Sequence, residues 1–100
     1  MKYYLFKLLP PRPDFAVTMS PAESRAMHDH IVYWSALVQR RTAIAVGPVA
    51  DPKGTYGVGI VQLEDRADPS AIASSDPAIV ADVGLRYEIH PMPMLITGTT

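Results

Sequence analysis

The chain has no cysteine in 100 residues. That excludes a disulfide scaffold, a thiolate metal site and a cysteine nucleophile. Charge is also scarce and balanced: nine Lys and Arg stand against ten Asp and Glu, a net of −1, so nothing electrostatic points to nucleic acid. No run approaches the roughly 18 apolar residues that span a bilayer. The apolar start, Met1 to Leu9, is too short for a secretory leader, is broken by Lys7 and meets Pro10-Pro11-Arg12-Pro13 where small residues would be needed. No Walker loop, dinucleotide fingerprint, zincin helix or Gly-x-Ser-x-Gly elbow occurs, and Gly57-Val58-Gly59 lies inside an apolar run with no third glycine. These absences predict a soluble cytoplasmic protein with no membrane or nucleic-acid partner.

What is present fits one globular domain over residues 1–100: 48% of residues are apolar and 19% charged. Proline is in excess, at ten residues, and its positions punctuate the chain. Residues 2–9 read as a strand stopped by Pro10-Pro11, and 10–19 as a proline-containing loop. Ser20, Pro21 and Glu23 form a helix start with a capping box, opening a helix over 21–41. On it Met27, Ile31, Trp34 and Val38 recur at helical spacing, with Ala26, His30, Tyr33 and Leu37 on the adjoining row; Arg40 and Arg41 fall in its last turn. Residues 43–50 and 56–64 read as strands joined by an Asp51-Pro52-Lys53-Gly54 turn. Asp68-Pro69 and Asp76-Pro77 each pair an N-cap with proline at the first helical position, and predict two short helices. Leu85 to His90 alternates as the last strand, with Leu85, Tyr87 and Ile89 inward and Pro91 ending it.

The order β-α-β-β-α-β predicts an α+β, ferredoxin-like fold: a four-stranded antiparallel sheet with both helices on one face. An apolar sheet face left bare predicts a homodimer formed through it, with the tail over 91–100 as a segment that crosses to the partner. Gly57 and Gly59, two apart, leave one side of their strand open to close approach by a ligand or another chain segment.

Three histidines are candidates for chemistry. His28 and His30 point roughly 200° apart on a helix and cannot share a metal; His28, between Arg25 and Asp29, reads as a solvated side chain. His90 reads as exposed or at a subunit boundary. His30 borders the apolar face, where it is either a boundary histidine satisfied by the main chain or a general acid/base. Asp76 is a helix cap, and the same fixed carboxylate is what orients an imidazole. Spacing alone does not join the two.

Two blocks, His28-Asp29-His30-Ile31-Val32-Tyr33-Trp34 leading to Ala45-Val46-Gly47-Pro48-Val49, and Ser75-Asp76-Pro77 leading through Gly84-Leu85 to Tyr87-Glu88-Ile89-His90-Pro91-Met92, resemble the YCII-related (YciI-like) family. With the first strand and the Asp51-x-x-Gly54 turn, the resemblance spans roughly residues 2–94. It implies a ferredoxin-like protomer pairing into a dimeric α/β barrel, as in muconolactone isomerases and antibiotic-biosynthesis monooxygenases. It also implies a His–Asp dyad, here His30 and Asp76, with one relative acting as a dehydrochlorinase on a chlorinated hydroxyquinol. The chain departs from the family at Ala78, where many members carry a bulky aromatic, and in its loop with Pro10–Pro13 and Phe15.

The resulting expectation is an enzyme with no cofactor, performing isomerisation or elimination on a small cyclic or aromatic acid or phenol. His30 and Asp76 are its catalytic pair, and Tyr33, Gly47, Pro48, Gly57 and Gly59 its substrate contacts; Tyr33 is the expected phenol donor. Arg86 and Glu88 are expected on the inter-subunit side. A non-catalytic ligand-binding or regulatory homodimer is the alternative, and a cofactor-free monooxygenase a more distant analogy.

Overall fold

A computed structural model describes residues 1–98. Eight elements follow in order: β1 (Lys2–Leu9), α1 (Phe15–Thr18), α2 (Pro21–Gln39), β2 (Ala43–Val49), β3 (Tyr56–Leu63), α3 (Ser70–Ser75), α4 (Pro77–Val80) and β4 (Arg86–Met92). The four strands form one sheet in the order β2-β3-β1-β4, and every adjacent pair is antiparallel. The protein is α+β. Of the 91–100 tail, Pro91 and Met92 belong to β4, while residues 99 and 100 lie outside the described residues.

The start of α2 forms as the sequence predicts. Ser20 Oγ accepts from Glu23 N at 3.1 Å and Glu23 Oε1 accepts from Ser20 N at 2.8 Å, closing a capping box. The helix ends earlier than expected, at Gln39, so neither arginine belongs to its last turn. Arg41 instead adopts φ 64°, and the N–H groups of Arg41 and Thr42 donate to the carbonyls of Val38 and Leu37, each at 3.0 Å. This is a Schellman ending with arginine where glycine is usual.

Periodicity identifies the apolar side of α2, and the buried line draws on both of its rows. Ala26, His30, Trp34 and Leu37 are buried, whereas Ile31 and Val38 are exposed. The Trp34 ring lies on Gly59 of β3, where a Cβ would sit 2.5 Å from Trp34 Cζ3. The core gathers Phe6, Trp34, Leu37, Ala43 and Val61. By strand alternation it occupies one sheet face; Tyr3, Leu5, Leu9, Val58 and Ile60 sit on the other, and none of them is fully buried.

Three further differences are local. The segment expected as loop contains the single turn α1, whose Phe15 packs inward. Asp68 keeps the expected capping bond, its Oδ1 accepting from Ser70 N and Ser70 Oγ at 3.0 and 2.8 Å, while α3 itself begins one residue later than expected, at Ser70, after an αR Pro69. Pro91 does not end β4; it pairs with Tyr4 inside the strand. A proline fits there because β4 is an edge strand, and its nitrogen can face away from the ladder.

The proline loop is fastened to α2 and to the β2–β3 hairpin. Arg12 donates two hydrogen bonds to Glu23, Nη1 to Oε2 at 2.8 Å and Nη2 to Oε1 at 2.7 Å. It also donates to Thr18 Oγ1 and to the Thr18 carbonyl. Gly54, at φ 138°, lies so close to Pro13 that a Cβ would fall 2.9 Å from the Pro13 carbonyl oxygen. Glycine is required there on both counts.

Candidate active site

The site grows out of two helices that share no local sequence. His30 lies mid-way along α2, one turn before Trp34 and on the same face. Asp76 sits between α3 and α4, where its Oδ1 accepts from Ala78 N at 2.9 Å as the N-cap of α4. That cap uses one carboxylate oxygen and leaves the other aimed at α2. Asp76 Oδ2 is 2.7 Å from His30 Nδ1. It also accepts from Trp34 Nε1 at 3.1 Å and from the Tyr87 hydroxyl in a short hydrogen bond. Trp34 Nε1 is shared, since it also donates to the Tyr87 oxygen at 2.9 Å.

Asp76 is 0% exposed and His30 8%. Burial alone pushes the Asp76 carboxyl up, but the hydrogen bonds from His30, Tyr87 and Ala78 outweigh it and hold the group below its ordinary value. Asp76 is therefore an anion. Tyr87 shifts the other way: burial, then its bond to the Asp76 carboxylate, raise its phenol far above the ordinary range, so it remains a donor. Because a carboxylate only accepts, the facing Nδ1 of His30 carries the hydrogen. In the neutral ring, Nε2 then holds the free lone pair.

A cavity of about 510 Å³ opens beside this pair, within the size range of small-molecule sites. His30, Trp34 and Tyr87 form part of its wall, and its apolar lining includes Phe6, Leu8, Phe15, Met27 and Leu85. Nε2 of His30 has no hydrogen-bond partner among the described residues, yet no unpartnered side-chain nitrogen or oxygen is sealed from solvent. The basic nitrogen therefore remains accessible. An imidazole with one nitrogen held by a buried anion and the other accessible can accept a proton, keep the resulting charge stable and return it.

The other expected contacts divide. Gly47, Pro48, Gly57 and Gly59 all border the cavity. At Gly59 the close approach comes from Trp34, and Gly57 has Leu8 Cβ 3.4 Å from the place of its missing Cβ. Tyr33 is not among the lining residues; its hydroxyl donates to the Ile72 carbonyl at 2.8 Å and ties α2 to α3. Tyr56 and Tyr87 are the tyrosines that line the cavity, and Tyr87 is the one bonded to Asp76. Alternation had turned Tyr87 inward, but nothing in its spacing linked it to Asp76. His28 and His90 are exposed, the latter 3.2 Å from Glu88. No cluster of three or more potential metal ligands occurs among the described residues.

A model of the YCII-related domain matches residues 1–93. The chain belongs to the YCII-related family. No curated protein matches it significantly. Family membership covers nearly all the described residues of this YCII-related protein, from β1 to the end of β4. No described helix is long and apolar enough to cross a membrane.

Proposed function

We propose that this YCII-related protein is a cofactor-free acid/base enzyme of isomerase or lyase type, with His30 as the general acid/base and Asp76 as the carboxylate that orients it. One observation carries the reading: the 2.7 Å contact between His30 Nδ1 and the fully buried Asp76, at the wall of a ligand-sized cavity. The substrate class is a small cyclic or aromatic acid or phenol. Nε2 removes a proton from the bound molecule; the imidazolium that forms is stabilised by Asp76, then returns the proton at another atom or to the departing group. Tyr87 and Trp34 keep the carboxylate from turning away.

The same proposal includes a ferredoxin-like protomer, a cytoplasmic location and a homodimer through the open sheet face. Half-buried Tyr3, Leu5, Val58 and Ile60 on that face support the dimer, as do Met94 and Ile96, 62% and 85% exposed. Turnover of a panel of lactones, enolisable cyclic ketones and halogenated phenols tests the catalytic role. His30→Gln should abolish any activity found while leaving the fold and the oligomeric state intact. Equal activity in the variant overturns the assignment, and ligand binding without turnover by the native protein favours a binding homodimer.

A further inference from the structure

The charge of the cavity wall narrows the ligand. None of its lining residues is Asp, Glu, Lys or Arg. The few polar side chains on it include Trp34 and Tyr87, and both are already committed to Asp76. Two cations sit against lining rings without lining the cavity themselves: Lys7 lies 4.4 Å over the Tyr56 ring, on the sheet face opposite the core, and Arg12, 5.4 Å over the Phe15 ring, is neutralised by Glu23. Among the described residues, the full charge hydrogen-bonded directly to lining side chains is the negative charge of Asp76, behind His30. A carboxylate placed in this cavity would lose water, find no Lys or Arg among the lining side chains, and pair with a cation only by drawing a proton onto His30. Burying an unpaired carboxylate is among the costliest transfers a site can impose.

A neutral molecule meets the opposite conditions. Its rings or alkyl groups match Phe6, Leu8, Phe15 and Met27, and a single acidic O–H or C–H can face His30 Nε2. Charge then arises only on proton transfer, as an anion beside a newly formed imidazolium that Asp76 already stabilises. We infer that the cavity selects neutral, mostly apolar molecules bearing one acidic proton, a phenol or neutral carbon acid, and rejects carboxylates of the same shape. The inference rests on the reading of His30 Nε2 as the proton acceptor and decides between the acid and the phenol in that substrate class.

Matched probes test it: 4-tert-butylphenol, neutral at pH 7 because phenols ionise near about 10, and 4-tert-butylbenzoate, an anion at that pH. Calorimetry gives the affinities, and emission from Trp34, the sole tryptophan, reports that binding occurs at this wall. The phenol should bind at least about tenfold more tightly than the benzoate. Ile31 is exposed at the cavity wall, so Ile31→Lys introduces a cation there with little risk to folding; it should narrow or reverse the preference by strengthening benzoate binding. Equal or tighter benzoate binding by the native protein overturns the inference, as does failure of both probes to bind at millimolar concentration. Neither readout requires turnover, so loss of the preference and loss of the catalytic role are separate results.

Discussion

The Tyr87 hydroxyl donates to the same Asp76 oxygen that faces His30 Nδ1. The orientation of the imidazole therefore depends on β4 as well as on the helices that carry His30 and cap at Asp76. In a buried network, deleting one donor leaves the remaining groups to rearrange around an anion.

Tyr87→Phe isolates this link. The ring stays packed edge-on against Phe6, but Asp76 loses one of the donors that lower its pKa. The variant should fold and be less stable by about 1–3 kcal/mol at neutral pH in urea denaturation. A carboxyl whose folded pKa is depressed contributes stability above its unfolded pKa and loses it as pH falls. With the depression reduced, the variant should show a smaller drop in stability on acidification than the native protein. Identical stability and acid dependence would show that the bond contributes nothing.

Gly59→Ala tests the contact between sheet and helix. The new methyl would fall 2.5 and 2.6 Å from two Trp34 ring carbons, so strand or indole must shift. The expected loss is about 1–3 kcal/mol, despite alanine's lower backbone entropy cost. Combining it with Trp34→Phe, which removes the outer ring, should cost less than the sum of the two single changes by about 1 kcal/mol or more. Strict additivity would mean that the strand yields and not the ring.

Acid sensitivity should also come from the loop clamp. Its bonds from Arg12 and from Ser20 hold the Glu23 carboxyl at about 2, against an ordinary 4.5. Because the folded pKa is the lower one, the contribution is complete above about 4.5 and is lost as pH falls towards 2. Glu23→Gln should therefore be less stable than the native protein at neutral pH, with a stability curve that is flatter across that acid window. Chemical denaturation at several pH values checks both; parallel curves would remove Glu23 from the account.

Much of this architecture was written in short-range chemistry. Ser20-Pro21-Glu23 and Asp76-Pro77 predict two helix starts because capping involves only residues a few positions apart, and alternation predicts which side chains of the last strand face inward. The His30–Asp76 contact needed the family resemblance, since 46 positions separate its partners. The role of Tyr87 was missed. Tyr33, one turn from His30 on the helix, appeared the nearer phenol, and only the register of β4 against β1 brings Tyr87 beneath Asp76. How the buried line of α2 crosses between its two rows was unreadable for a similar reason: a bare glycine on a strand, not the helix's own pattern, decides where Trp34 lies.

The ending of α2 supplies a prediction away from the site. Arg41 holds a left-handed conformation at φ 64°, which costs an L-residue about 1–2 kcal/mol locally. Its carbonyl accepts from Gln62 Nε2 at 2.8 Å, and its N–H closes the helix on Val38; both are main-chain groups that any residue keeps. Arg41→Gly removes the steric cost while retaining those bonds, offset in part by glycine's greater freedom in the unfolded chain. The net gain should be about 0.5–1 kcal/mol, or a rise in Tm of about 2–8 °C for a domain of this size. Arg41→Val should move stability the other way, because a β-branched side chain tolerates this region worst. Arg41 does not line the cavity, so neither change should alter the affinity for 4-tert-butylphenol. A glycine variant no more stable than the valine one would show that the turn relaxes out of the left-handed region at no cost.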